Sequence, residues 1–257
     1  MDRSMNRREF SQALVGAIAS YALLETLVSR DAFAGPVRPI TGRWVRNLNA
    51  MSQDLRTGTI TPRQWQGKVD ELFDQVDQRE LLALVDFDKL THGFEYPDLG
   101  VATKPVRFPR LGGIPEDLAF YSKIFGMKKD RAIIPHGHKN MVSCHYVLKG
   151  QFQLRQYEKV SEDGTHMLIE PTVDEVARIG SHSSISDEKN NIHWLKALSD
   201  TAFTFDVIIQ SLRDAPVEID NIDPYGAEKV SGNRLRVRKL SVEDALKRYG
   251  HDTHHRR

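Results

Sequence analysis

The chain has 257 residues, 40% of them apolar and 28% charged, and a formal net charge of +1. That is the composition of a soluble globular protein able to bury a substantial core, and the absence of a basic stripe or acidic tail argues against nucleic acid as a partner. Cys144 is the only cysteine, which excludes an intramolecular disulfide.

Asn6-Arg7-Arg8-Glu9-Phe10 precedes an apolar run at 13–19, and Ala32-Phe33-Ala34 follows, with Gly35 next. A charged start, an apolar middle and a small-residue cleavage site predict an export signal over residues 1–34, removed after about Ala34. The arginine pair before Phe10 resembles a twin-arginine signal. That resemblance implies a periplasmic protein which folds, with any metal installed, before it meets the twin-arginine translocase. Gln12, Ser20 and Glu25 interrupt the apolar stretch, so no stable membrane anchor is expected. An exported protein without disulfides relies on its core, or on a metal, for robustness.

Gly35, Pro36, Pro39 and Gly42 mark residues 35–42 as a linker, and residues 43–90 read as helical. Thr61-Pro62 is a cap followed by proline at the first helical position, and Trp65, Val69, Leu72, Phe73 and Val76 follow at helical spacing. That stripe reads as core packing rather than a cofactor surface. Leu81, Leu82, Leu84 and Val85 suggest a further short helix. From about residue 93 prolines and glycines punctuate an irregular connection, which completes a helical extension at 35–117.

Residues 118–212 read as all-β. Short runs at 120–125, 132–135, 142–148, 152–157, 166–169, 192–197 and 202–210 are separated by turn signals, as in a sandwich or barrel. Residues 213–257 read as loops, a basic strand at 234–239, a helix capped by Ser241 with Asp244 three residues on and ending before Gly250, and a His/Arg tail. His251, His254 and His255 in that tail can bind stray metal, or simply be solvated.

His136-Gly137-His138 follows the apolar run at 132–135. Two histidines at i and i+2 on a strand point to the same face, and neutral imidazole is the commonest metal ligand near neutral pH. Such a pair can give one ion two adjacent ligands, the rest coming from elsewhere in the chain.

The stretch 135–152 resembles the first motif of the cupin superfamily: glycine, five residues, H-x-H, three or four residues, glutamate, six residues, glycine. Gly150 stands at the last glycine. Asp130 stands at the first, and Ser143 where the ligand glutamate is expected. The resemblance implies a mainly β protein, a cupin-type jelly-roll barrel with an N-terminal helical extension and a C-terminal helix. A small residue in the glutamate slot is similar to the thiol dioxygenases, cupins that use three histidines. Leu148-Lys149-Gly150 resembles their L-x-G turn, and Asn191-Ile192-His193 resembles the N-x-H stretch of the cysteamine- and plant-type members. The implied metal ligands are His136, His138 and His193. A neutral ligand set leaves open positions on an octahedral ion and favours an anionic bidentate substrate.

Other residues have open readings. His145 shares parity with Ser143 and faces the interior, as a fourth ligand, a hydrogen-bonding neighbour of the ligands, a general base or a packed histidine. His182, in a Ser- and Gly-rich stretch that reads as loop, is the rival third ligand. Cys144 has the opposite parity and reads as a small packed residue. Arg155 and Tyr157 share a face and either bind a substrate carboxylate or face solvent. The expected function is an exported metal-dependent cupin, a non-haem Fe(II) dioxygenase acting with O2 on a small molecule such as a thiol. A β-diketone- or ring-cleaving enzyme, a non-catalytic periplasmic metal- or ligand-binding cupin and an interaction module docking through its helices are the other readings. Mn, Zn, Ni or Cu can replace iron on such ligands, and edge pairing would give a homodimer.

Overall fold

The structure, a computed structural model, describes residues 39–109 and 117–251. The expected export signal at 1–34 lies outside them, as do His254 and His255. No helix among the described residues is long and apolar enough to cross a membrane.

Helix α1 (Pro39–Arg56) begins inside the stretch expected to be linker. Proline suits a first helical turn, where its missing N–H costs nothing. α1 buries Trp44, Val45, Leu48 and Leu55. α2 (Pro62–Asp74) starts as the sequence predicts: Gln64 N–H donates to the Thr61 hydroxyl, and Thr61 N–H donates to the Gln64 side chain. α3 (Gln78–Leu84) is capped by Asp77, and α4 (Phe87–Thr91) is a single short turn.

Strands β1 (Ala102–Val106), β2 (Tyr121–Lys128), β3 (Ala132–Lys139), β4 (Met141–Lys149), β5 (Phe152–Glu162), β6 (His166–Ala177), β7 (His182–Ile185), β8 (Ile192–Ala197) and β9 (Thr201–Gln210) follow. β10 (Glu218–Ile222), β11 (Glu228–Lys229) and β12 (Leu235–Leu240) lead to α5 (Val242–Tyr249). One sheet runs β1-β2-β9-β4-β7, the other β10-β3-β8-β5-β6-β12-β11. The order β2-β9-β4-β7 over β3-β8-β5-β6 is that of a jelly roll, so the fold is the mainly β barrel expected, with helices at both ends of the described chain. The strands reach beyond 118–212. β1 takes part of the irregular connection, and its Pro105 is tolerated because the strand is an edge. β10 occupies what read as loop after 212. β10 also pairs with β12, which closes β10, β3, β8, β5, β6 and β12 into a second, six-stranded ring.

Alternation along the strands sorts the core into three clusters. Val142, Cys144, Tyr146 and Leu148 of β4, with Phe203, Phe205, Val207 and Ile209 of β9, face the helices and pack on Trp44, Trp65 and Phe73. Met127, Val147 and Ala202 of the first sheet meet Ile133, Leu154 and Leu195 of the second inside the jelly roll. Tyr157, Met167, Ile169, Ile192, Trp194, Ile222, Val237 and Tyr249 form the third cluster, contributed by strands of the six-stranded ring and by α5.

Gly150 turns β4 into β5 with φ +78°, and a Cβ there would collide with the backbone oxygen of Thr201. Only glycine meets both demands.

Candidate metal centre

The jelly-roll interior changes character along its length. Beyond the apolar cluster, the inward positions become His136, His138, His193, His145, Gln156 and Asp206. β3 pairs with β8 at Ile133–Leu195 and at His136–His193, three residues on one strand against two on the other. This bulge restores the phase, so that His136 shares the inner face with Ile133 despite opposite parity.

The ligand nitrogens of His136, His138 and His193 lie within 4.8 Å of one another. Ring centroids are 4.4 Å apart for His136–His138, 4.4 Å for His136–His193 and 5.4 Å for His138–His193. His136 Nδ1–H donates to the Ile134 carbonyl at 2.7 Å, which leaves its Nε2 lone pair free. Burial pushes the His136 imidazole down to about 4, the nearby His145 acting in the same direction and the Ile134 carbonyl against it. Burial, with the neighbouring imidazoles, holds His138 and His193 well below their ordinary value. All three rings are therefore neutral near pH 7, the form that binds metals.

Asn191 anchors this arrangement. Its Nδ2 donates to the His138 carbonyl at 2.7 Å, and His138 N–H donates to its Oδ1 at 3.0 Å. The side-chain amide thus acts as a rung of sheet. A Cβ on Gly137 would strike the same Oδ1, which explains the glycine between the two histidines.

His145 and Asp206 stand opposite each other on β4 and β9, and His145 Nδ1 bonds the Asp206 carboxylate. Both are buried, and the His145 centroid is 5.0 Å from that of His193. His145 lies outside the three-histidine group. Gln156, opposite His193 on β5, donates to Ser183 Oγ at 3.3 Å and ties the two sheets together. Ser143, in the expected glutamate slot, is buried beside Ile208 and Ile185 in register.

The remaining expected residues are elsewhere. His182 lies on strand β7 rather than in a loop, on the helix-facing side: it stacks on Phe73 at 5.9 Å, with Asp74 at 3.7 Å. Arg155 pairs in register with Trp194, one residue from His193 and so on the opposite face. Its guanidinium sits 5.0 Å over the Trp194 ring and its Nε 3.1 Å from Asp174. Tyr157 belongs to the third apolar cluster. The expected substrate-binding pair is therefore directed away from the histidines, because β5 alternates and Gln156 takes the inward position. Asp206 was missed by sequence reading. Its signal was a lone acid in a strand run at 202–209 whose other residues, Thr204 aside, are apolar. Gln156 had no such signal.

The donor set fits a transition-metal ion of borderline softness: three neutral imidazoles converge on one point and the His138 Nδ1 is buried without a hydrogen-bond partner. No protein-family model matches this sequence, and no curated protein matches it. Among solved structures, the chain is similar to procruciferin, the 11S globulin of Brassica napus, with 11% identity over 49% of this chain and 29% of that one, at a TM-score of 0.35. An uncharacterized conserved protein with a double-stranded β-helix domain from Klebsiella pneumoniae matches with 10% identity over 50% of this chain and 86% of that one, at a TM-score of 0.34. The chain spans less than a third of the length of that 11S globulin.

Proposed function

We propose that this chain is an exported, metal-dependent cupin-type enzyme, a non-haem Fe(II) dioxygenase acting on a small anionic molecule. The observation that carries this reading is the convergence of three neutral histidines at the polar end of a jelly-roll interior, with no carboxylate in the group. His136, His138 and His193 would hold the ion, and Asn191 fixes the backbone of His138. A bound ion would supply the redox capacity needed to bring O2 and a substrate into reaction. With three neutral ligands, the ion's charge is left for the substrate to offset, so an anion is favoured. Met127, Ile133, Leu154 and Leu195 pack as an apolar cluster beside the histidines. A thiol is the sharpest substrate proposal, supported by the Leu148-Lys149-Gly150 and Asn191-Ile192-His193 resemblances. Export to the periplasm is supported by Arg7-Arg8 and the Ala32-Phe33-Ala34 site in the sequence.

The test is the metal content of the anaerobically purified chain by elemental mass spectrometry, with His193→Ala alongside, followed by O2 uptake on a panel of small thiols and enols. Near-stoichiometric iron that is lost in the variant, and O2 uptake with a panel member, are expected. Metal that survives His193→Ala overturns the ligand assignment. Stoichiometric metal without O2 uptake leaves a metal-binding protein without catalysis.

A further inference from the structure

We propose that Gln66 of α2 is a positioning residue of the metal centre, so that docking of α2 and metal binding are linked. The inference rests on the metal-site reading above and adds a route by which the helical layer regulates that site.

Gln66 lies beside the apolar stripe of α2 and is buried. A buried amide is costly unless its hydrogen bonds are met. Among the described residues, those of Gln66 all go to β7 or to the loop 186–191 between β7 and β8. Its Oε1 accepts from Ser186 Oγ at 2.5 Å. Its Nε2 donates to the Lys189 carbonyl at 3.3 Å and to Ser184 Oγ at 3.4 Å. The Ser186 oxygen in turn accepts the N–H of Glu188 at 3.0 Å and of Lys189 at 3.2 Å, so the loop is folded around the end of this one side chain. At the start of α2, Arg63 N–H donates to Glu188 Oε2 at 3.1 Å, which gives a first-turn donor a partner.

The other side of the same loop holds the ligands. Asn191 makes both bonds to the His138 backbone, and its carbonyl accepts from His193 Nδ1 at 3.5 Å. Asp187 accepts the N–H of Asn140, two residues beyond His138, at 3.0 Å. Six residues thus touch the ends of β3 and β8 that carry His138 and His193, and are tied at their back to α2.

A segment that supports two sites in one arrangement couples them. Gln66 holds the loop as His138 and His193 need it, so the metal meets ligands already placed and the cost of ordering them is met by helix docking. By reciprocity, bound metal steadies the loop and α2 to the same degree.

The test uses the full chain loaded anaerobically with Co(II), whose visible bands report the histidine site, with affinity read by competition with a chromogenic chelator. Gln66→Ala and Ser186→Ala should each shift the bands and weaken cobalt by about tenfold or more. The double variant should be no more than about twofold worse than the weaker single, because both cut one link. Leu81→Ala, in α3 of the same apolar cluster, should lose stability yet bind cobalt within about twofold of the parent. Hydrogen exchange of the parent, with and without cobalt, should show metal slowing residues 62–74 and 186–191 more than β12. Parent-like bands and affinity in Gln66→Ala, additive losses in the double variant, or equal weakening by Leu81→Ala overturns the inference and leaves the metal site standing. If Gln66→Ala does not fold, exchange in the parent decides, and uniform slowing overturns it. A parent that takes no cobalt, or a His193→Ala variant that keeps it, overturns the metal reading itself and this inference with it.

Discussion

The side-chain amide of Asn191 makes with His138 the two hydrogen bonds that a neighbouring strand would otherwise make. Removing it should loosen a metal ligand without touching the imidazole. Asn191→Ala is expected to cost about 1–3 kcal/mol in thermal or denaturant unfolding, since two backbone groups lose their partner. Metal affinity should fall about 10- to 100-fold, read by competition with a chromogenic chelator. Unchanged affinity would remove Asn191 from the site.

The outward placement of His182 separates it from His193 by experiment. His182→Ala should leave bound metal at the parent level and lose only its stacking on Phe73 and its contact with Asp74. His193→Ala should abolish the metal. Elemental analysis of the two variants, prepared together, decides between the rival ligands.

The helices are part of the core rather than an appendage. Phe73 of α2 stacks on Tyr146 of β4 at 5.3 Å and meets Trp44 edge-on at 5.3 Å. Phe73→Ala should destabilise the chain by about 3–5 kcal/mol in denaturant unfolding. A loss below about 1 kcal/mol would mean that the helices dock loosely on the sheet, as surface substitutions do.

Glu162 lies 2.6 Å from Lys239, 3.0 Å from Lys159 and 3.6 Å from Lys139. The Lys239 hydrogen bond, aided by Lys159, holds its carboxyl down to about 2 from an ordinary 4.5. A depressed carboxylate contributes stability that is complete above about 4.5 and is lost as the pH falls towards about 2. Glu162→Gln should therefore lower stability at neutral pH and flatten the acid limb between those values. Partial exposure keeps the loss near or below about 1 kcal/mol. Urea midpoints of parent and variant from pH 2 to 7 check this, and parallel curves would exclude the effect.

Much of the fold was legible because local signals and pattern agreed. The Thr61 cap, the Ser241 cap and the alternation in β4 each appear where the residues indicate. His136, His138 and His193 could be named from two short motifs. Other parts were decided by contacts the sequence does not display. β7 is a short strand whose Ser184 is buried under α2, bonded to Gln66 and Asp70, while Ser183 and Ile185 face the interior. β10 is a strand of mixed polarity held between β3 and β12. The bulge in β3 contains Pro135, which an interior strand tolerates only at such an irregularity, yet the proline alone does not tell which way His136 then points. Arg155 and Gln156 are adjacent polar residues, and only the register with β8 tells which one faces the histidines.

β8 is a party wall between two rooms. His193 opens into one and Trp194 into the other, where Trp194 meets Tyr249 of α5 at 5.4 Å and Tyr225 at 5.3 Å. A strand buried on both faces is stiff, and neighbouring residues on it cannot shift independently. The C-terminal helix therefore packs against the back of the strand whose front carries His193.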